Sequence, residues 1–298
     1  MSGPFDVDAP LAIGVRWLLL LAYSGVIGSA VMHDLVVDVQ TDAAVAARLR
    51  TLLARAAWVA LGVLGLRVVM QVLAIYGAPG AIEWAGVPAI ITGTTWGKAW
   101  MAQLVATVAL ALLADTPPDG TTRAVRAGLL FMLGLGAAFS GHAAAIEFGA
   151  AAVLAADMLH LLAAGIWIGG LAMLLAAGWL SCEGSAFHRI RRRFSTLALA
   201  SASVLALTGI TGAGSQGVTF ANLTTDHYAI TMLRKLVVVA VVIVLGGLNW
   251  RSTRDADARR EIPTGFARVA RIEVVLGAVV LLLTAILVAT ATPMDGRG

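Results

Sequence analysis

Two histidines and one aspartate have residue types and a spacing that could bind a metal ion. His142 ends one apolar run, and a short connection with Glu147 leads to a second run that carries Asp157 and His160. Asp157 and His160 are three residues apart and therefore share one face of a helix. Imidazole is a common ligand of transition metals, and a carboxylate often holds the second ring nitrogen of a metal-bound histidine. These residues predict a metal site with His142 and His160 as ligands and Asp157 behind His160.

The chain that must position these residues has the composition of a membrane protein. Of its 298 residues, 59% are apolar and 13% charged, and the mean hydropathy is +0.89. Stretches of about twenty residues with little charge are long enough to cross a bilayer. Eight such spans are predicted: Val15 to Met32, Leu52 to Ile75, Trp96 to Ala114, Val125 to His142, Val153 to Leu180, Phe194 to Ala213, Ala229 to Trp250, and Ala267 to Thr290. We therefore predict an all-α, polytopic membrane helical bundle, a single integral membrane domain over residues 1–298 in contact with lipid.

Basic residues lie unevenly on the two sides of this bundle. Fifteen Lys and Arg lie in or beside the loops after spans one, three, five and seven, and five lie on the other side. Because basic loops stay in the cytoplasm, both termini and the His142–His160 region are predicted to face outward, toward the periplasm from a bacterial inner membrane. The pI near 9.8 then reflects topology, and no nucleic-acid partner is expected.

The remaining candidate ligands are methionine and a third histidine. The single cysteine, Cys182, is predicted on the cytoplasmic side and excludes a thiolate cage. Met158 is predicted on the outer side, and thioether sulfur together with imidazole suits Cu(I). His227, beside Asp226, also faces outward. Met158 could instead fill space in the core, and His227 could be a solvated loop residue.

Three further residues have open roles. Arg67 lies inside the second span, where a guanidinium needs a partner, and Asp157 or Glu147 on the outer side could supply it; snorkelling is the alternative. Trp167 continues the face of His160. His33, at the inner end of span one, is either an inner metal site or a solvated helix end.

A weak internal repeat suggests two halves. Trp96-Gly97, followed by Trp100, Gln103 and Leu104, matches the spacing of Tyr228-Ala229, followed by Met232, Lys235 and Leu236. Both copies open the third helix of a four-helix half and both enter from outside. This favours two parallel four-helix repeats, although chance similarity between apolar helices explains it equally.

Several of these motifs resemble the CopD/PcoD family of bacterial copper-resistance membrane proteins. The matching residues are Ser140-Gly141-His142, the run from Asp157 through His160 and Trp167 to Leu171, Arg193-Phe194-Ser195, Leu207-Thr208-Gly209, Tyr228, Lys235-Leu236 and Asn249. The resemblance covers residues 129–298 well and residues 1–128 more weakly. It implies an eight-helix inner-membrane protein that moves copper ions, is not an enzyme, and works beside a periplasmic CopC-like copper-binding protein. His142, Asp157 and His160 match the polar positions of the family.

A different class of protein would use the same histidines. His142 and His160 could be axial ligands of haem b in an electron-transfer protein, with Arg67 on a propionate. A dihaem cytochrome would need more paired histidines, and only His33 and His188 lie toward the inner side. Copper handling is therefore the preferred interpretation. ATP-driven pumping by this chain is not expected because it has no P-loop motif.

Overall fold

The computed structural model describes residues 9–37, 42–77, 79–140, 150–182, 184–215, 226–257 and 265–290. These ranges contain helices and turns and no β-strand. The helices are α1 (Ala9–Val31), α2 (Ala43–Tyr76), α3 (Val87–Gly93), α4 (Thr95–Leu112), α5 (Gly120–Phe139), α6 (Ala150–Ala164), α7 (Gly170–Ala176), α8 (Gly184–Ser215), α9 (His227–Asp257) and α10 (Phe266–Ala289). Wider π-helical turns, Met32–Val36 and Gly165–Gly169, extend α1 and join α6 to α7.

In these ranges, seven helical segments are long and apolar enough to cross a membrane. The remaining predicted span, Trp96 to Ala114, corresponds to α4, which has 18 residues and carries Lys98 and Gln103. At 1.5 Å per residue α4 is about 27 Å long, close to the hydrocarbon thickness of a bilayer. The all-α, multi-pass membrane bundle predicted from the sequence is confirmed.

Successive long helices run in opposite directions, so their starts and stops lie at two opposite ends of the bundle. The end where α1 stops and α2 starts, which we call the arginine end, carries Arg48, Arg126, Arg189 and Arg193. Arg48 Nη1 donates to the Ala177 carbonyl at 3.2 Å and Arg189 Nη2 to Asp42 Oδ1 at 2.6 Å. The opposite end holds the start of α1, α6 and α9.

Helix α1 lies at the centre and packs against α2, α10 and the α6–α7 segment. Gly28 and Gly169 make this approach possible: a Cβ atom on Gly169 would collide with the Ser24 carbonyl, and one on Gly28 with the backbone of Gly169. In lipid, helices associate through small residues that let their backbones come close. The π-helical turn of residues 165–169 is therefore held directly against α1.

Candidate metal site between α6, α8 and α9

His160 lies deeper in the bundle than the sequence predicted. Helix α6 starts at Ala150, three residues before the predicted start at Val153, and His160 is ten residues along it. At 1.5 Å per residue this is about 15 Å from the start of α6, almost three turns. His160 is half-buried, within the membrane-spanning part of the helix.

The His160 imidazole is held by Thr208 of α8, with 2.8 Å between Nδ1 and Oγ1. Thr208 has a single hydroxyl proton, which it donates to the Val204 carbonyl at 2.7 Å, so its oxygen is placed to accept a hydrogen bond from the protonated Nδ1 of His160. The neutral imidazole then carries its lone pair on Nε2. This is the tautomer that a metal-binding histidine uses when an outer partner fixes its other nitrogen. The sequence predicted Asp157 in that role; the structure gives it to Thr208.

Asp157 instead belongs to a group of charges around His160. It is exposed on α6, and its carboxylate interacts electrostatically with Lys235 of α9. Lys235 also acts on His160, and Asp157 on the phenol of Tyr228. The three helices thus bring an imidazole, a carboxylate and an ammonium group into one region, where the carboxylate offsets the positive charge next to His160.

His227 lies at the same end, as the first residue of α9, and its side chain is exposed. The preceding Asp226 caps the helix, because its Oδ1 accepts from the backbone N–H of Tyr228 at 2.9 Å and of Ala229 at 3.1 Å. This cap fixes where α9 starts and leaves the His227 imidazole open to the surroundings.

Met158 and Trp167 face other parts of the bundle. Met158 is buried with Ala138, Val153 and Leu154, and a Cβ on Gly134 of α5 would come within 3.0 Å of its Cγ. On a helix, Met158 and His160 are about 200° apart, so Met158 points toward α5 while His160 points toward α8. Trp167 is half-buried in the π-helical turn, against the apolar cluster of the arginine end. In the structure both side chains contact apolar neighbours, and their predicted roles at the metal site stay predictions.

Arg67 forms no described contact with Asp157, and its other predicted partner, Glu147, lies outside the described residues. Its Nη2 donates to the Ser140 carbonyl at 3.4 Å, and its guanidinium lies 5.8 Å from the centre of the Trp96 ring. Ser140 also belongs to a buried network. In it Gln103 Nε2 donates to Ser140 Oγ at 2.7 Å and the Tyr23 hydroxyl donates to Gln103 Oε1 at 2.8 Å. Arg67 therefore braces the end of α5, just before His142.

His142 and Glu147 lie outside the described residues, so their predicted roles stay predictions. Within the part of the chain that is described, no group of three or more His, Cys, Asp or Glu side chains could hold a metal ion. The described part of the candidate site is thus one imidazole with a free Nε2 and its charged surroundings.

His33 lies at the arginine end and is buried rather than solvated, with 2% of its surface exposed. Its Nδ1 lies 2.9 Å from Asp34 Oδ1, and Arg126 Nη1 donates to the same oxygen at 2.5 Å. Arg126 Nη2 also donates to the carbonyls of Leu113 and Thr116, both at 2.7 Å. This network ties α1 to the α4–α5 connection. A solvated helix end was one of the two roles predicted for His33, and the partner Arg126, which lies 93 residues away along the chain, could not be foreseen from the sequence.

Glu273 was not singled out from the sequence. It is 7% exposed and lies in the first half of α10, two residues after Arg271. An acidic residue at the start of the long apolar run of α10 was the available signal.

Comparisons with known proteins agree with the resemblance. The family model described as "Copper resistance protein D-like, N-terminal domain" matches residues 6–153, and "Copper resistance protein D" matches residues 188–287. A similar protein is the copper transport protein CutJ of Bacillus subtilis (strain 168), 29% identical over 212 residues, 68% of this chain and 38% of that protein. The chain thus spans about two fifths of the length of this curated relative. No solved structure matches.

Proposed function

The chain belongs to the copper resistance protein D family, and we propose that it carries copper ions across the bacterial inner membrane with His160 as a ligand on the path. The observation that carries this proposal is the hydrogen bond from His160 Nδ1 to Thr208, which leaves the Nε2 lone pair available. A soft, monovalent Cu(I) ion accepts two to four such ligands. The ion is the cargo, and no catalysed reaction is part of the proposal.

Copper enters from the end of the bundle that holds the starts of α6 and α9. His142 captures the ion there, with the exposed His227 as a further outer ligand, and His160 receives it about 15 Å along α6. The excess of basic residues at the arginine end supports placing the opposite end in the periplasm, where a CopC-like protein would deliver copper. Both termini face the periplasm in this arrangement.

The charges near His160 set how tightly the ion is held. A cation at Nε2 is repelled by Lys235, and the carboxylate of Asp157 offsets that repulsion. The site binds copper without a permanent excess of negative charge. Such moderate binding suits a transporter, because the ion must also leave.

Transport by the full chain in proteoliposomes tests this proposal. The vesicles are loaded with a Cu(I)-sensitive fluorescent chelator, and ascorbate keeps external copper reduced. We expect uptake by the wild-type protein, its loss in His160→Ala, and normal uptake in the control Thr211→Val, whose hydroxyl bonds only Leu207 of its own helix. Absence of wild-type uptake would refute transport, and normal uptake by His160→Ala would refute the assigned path.

A further inference from the structure

Glu273 is a buried carboxylic acid inside the last membrane-spanning helix. It is the eighth residue of α10, about 10 Å from the start of that helix and about 24 Å from its end, and its neighbours Ile272 and Val274 are apolar. Only 7% of its surface is exposed. Ionisable residues at such positions are rare and mark ion or proton pathways by default.

Glu273 faces α9. A Cβ atom on Gly246 would lie 3.7 Å from Glu273 Oε2, and the Asn249 side chain forms a hydrogen bond with the carboxyl group. The other oxygen, Oε1, is fully enclosed and has no hydrogen-bond partner in the described ranges of the chain. The absence of a side chain at Gly246 leaves space for the carboxyl group.

The other buried acids show what is unusual about Glu273. Three acidic residues are buried in the described part of the chain: Asp34, Asp42 and Glu273. Asp34 is paired with Arg126 at 2.5 Å and Asp42 with Arg189 at 2.6 Å. Glu273 has no ion pair with any described residue.

Among the side chains that the structure describes, the cations on the helices packed against Glu273 form no ion pair with it. Helix α9 carries Arg234 and Lys235 at the opposite end and Arg251 near the arginine end, and Arg251 is exposed. Helix α10 itself carries the exposed Arg268 and Arg271. Helix α1 contributes Arg16, at the opposite end, and α7 has no charged residue.

An unpaired carboxylate in an apolar interior is costly, whereas the protonated acid is neutral and can share its proton with an amide. The group therefore holds its proton while it is enclosed and gives it up when water or a cation reaches it.

Helix α9 links Glu273 to the copper site. It carries both Asn249 and Lys235, about 21 Å apart along the helix, so a movement of α9 during transport would alter both the copper site and the surroundings of Glu273.

We infer that Glu273 is an exchangeable proton-binding site, which exchanges its proton with water at the arginine end in one state of the transport cycle and with the opposite side in another, so that a proton crosses the membrane with copper. This inference rests on the proposed copper transport and adds a proton flux to it.

The first test records proton flux and copper uptake in the same proteoliposomes, with a pH-sensitive dye trapped inside. Wild-type protein should move protons when copper is added. Glu273→Gln keeps the shape and the bond to Asn249 but cannot release a proton, and it should lose the copper-dependent proton flux. Glu83→Gln, at an exposed residue, is the matched control and should behave as wild type. Wild-type copper uptake without proton flux would overturn the inference and leave copper transport intact.

A second measurement does not need transport. Infrared spectra of the purified protein, recorded as pH is varied, should show the carbonyl stretch of a protonated carboxyl group that disappears at high pH and is missing in Glu273→Gln. A spectrum that is the same in wild type and Glu273→Gln at every pH would overturn the inference even if copper uptake failed for another reason.

Discussion

The imidazole of His160 and the hydroxyl of Thr208 form a hydrogen bond of 2.8 Å between α6 and α8. The Thr208 hydroxyl donates its own hydrogen bond to the Val204 carbonyl, so its bond with His160 favours the tautomer with the proton on Nδ1 and the lone pair on Nε2. One threonine thereby decides which nitrogen of the imidazole can bind a metal.

Removing the Thr208 hydroxyl should weaken copper binding. Thr208→Val keeps the shape of the side chain but frees the imidazole, and loss of such an outer partner typically lowers metal affinity about 10- to 100-fold. Competition with a chromophoric Cu(I) chelator in detergent measures this affinity. Thr208→Ser should bind nearly as wild type, since it retains the hydroxyl, and Thr211→Val is the control for a lost hydroxyl elsewhere on α8. Equal affinity of Thr208→Val and wild type would show that the bond does not serve metal binding.

Charge changes on α6 and α9 should act in opposite directions. Asp157→Asn leaves Lys235 unbalanced beside His160 and should lower Cu(I) affinity, whereas Lys235→Met removes a repulsive charge and should raise it. At an effective dielectric constant of about 20, a unit charge within several ångström of a bound cation contributes on the order of 1 kcal/mol, so each change should shift the affinity severalfold. The same chelator competition measures both variants. A shift of the same sign in both would contradict the electrostatic account.

Arg126 should be needed for stability because it compensates the buried Asp34. Arg126→Leu leaves an uncompensated carboxylate next to His33 and should cost about 3 to 5 kcal/mol. Thermal unfolding in detergent should show this loss, and Arg126→Leu with Asp34→Leu should recover part of it. Arg123→Leu, on the exposed face of the same helix, should have little effect. A double variant as unstable as Arg126→Leu would show that the paired charges are not the cause.

A methyl group added at Gly169 should disrupt the close packing of α1 against the π-helical turn of residues 165–169. Gly169→Ala would place its Cβ against the Ser24 carbonyl, and backbone cannot move as a flexible side chain can, so the variant should lower the melting temperature and the yield of folded protein. Gly128→Ala, where a Cβ meets nothing within 4 Å, is the matched control. Equal melting temperatures for the two variants would refute the close approach.

Labelling of Cys182 can show which end of the bundle faces the cytoplasm. Burial, and then the carboxylate of Asp42, raise the pKa of its thiol, so less thiolate is present at neutral pH than for a free cysteine. Labelling by a membrane-impermeant maleimide should rise with pH, about tenfold per unit below the pKa. It should be seen in inside-out vesicles and not in spheroplasts, because this residue is the single cysteine of the chain. Labelling in spheroplasts alone would reverse the proposed topology.

The helices could be predicted from the sequence because each is a long apolar run, a property of consecutive residues. The membrane spans were therefore found, although α2 starts nine residues before the predicted Leu52 and α8 ten residues before the predicted Phe194. The difference that matters for the site is the earlier start of α6, which places His160 deeper. The candidate ligand His160 and its link to copper came from the motif that follows Asp157.

The contacts around the site could not be predicted because they join residues far apart in the chain. His160 is 48 residues from Thr208, and Asp34 is 92 residues from Arg126. A helical spacing of three suggested Asp157 as the partner of His160, yet the neighbouring helix supplied a better-placed acceptor. Met158 was chosen because its sulfur suits copper, but the side of α6 on which it lies could not be read from its residue type, and that side faces α5.

Metal content and absorption of the purified full chain test the central claim most directly. After incubation with Cu(I) and removal of excess metal, we expect bound copper in the wild-type protein and in Thr211→Val, its loss in His160→Ala, and no Soret band. Copper retained in full by a folded His160→Ala variant, or a Soret band with matching iron in the protein as isolated, would contradict the account.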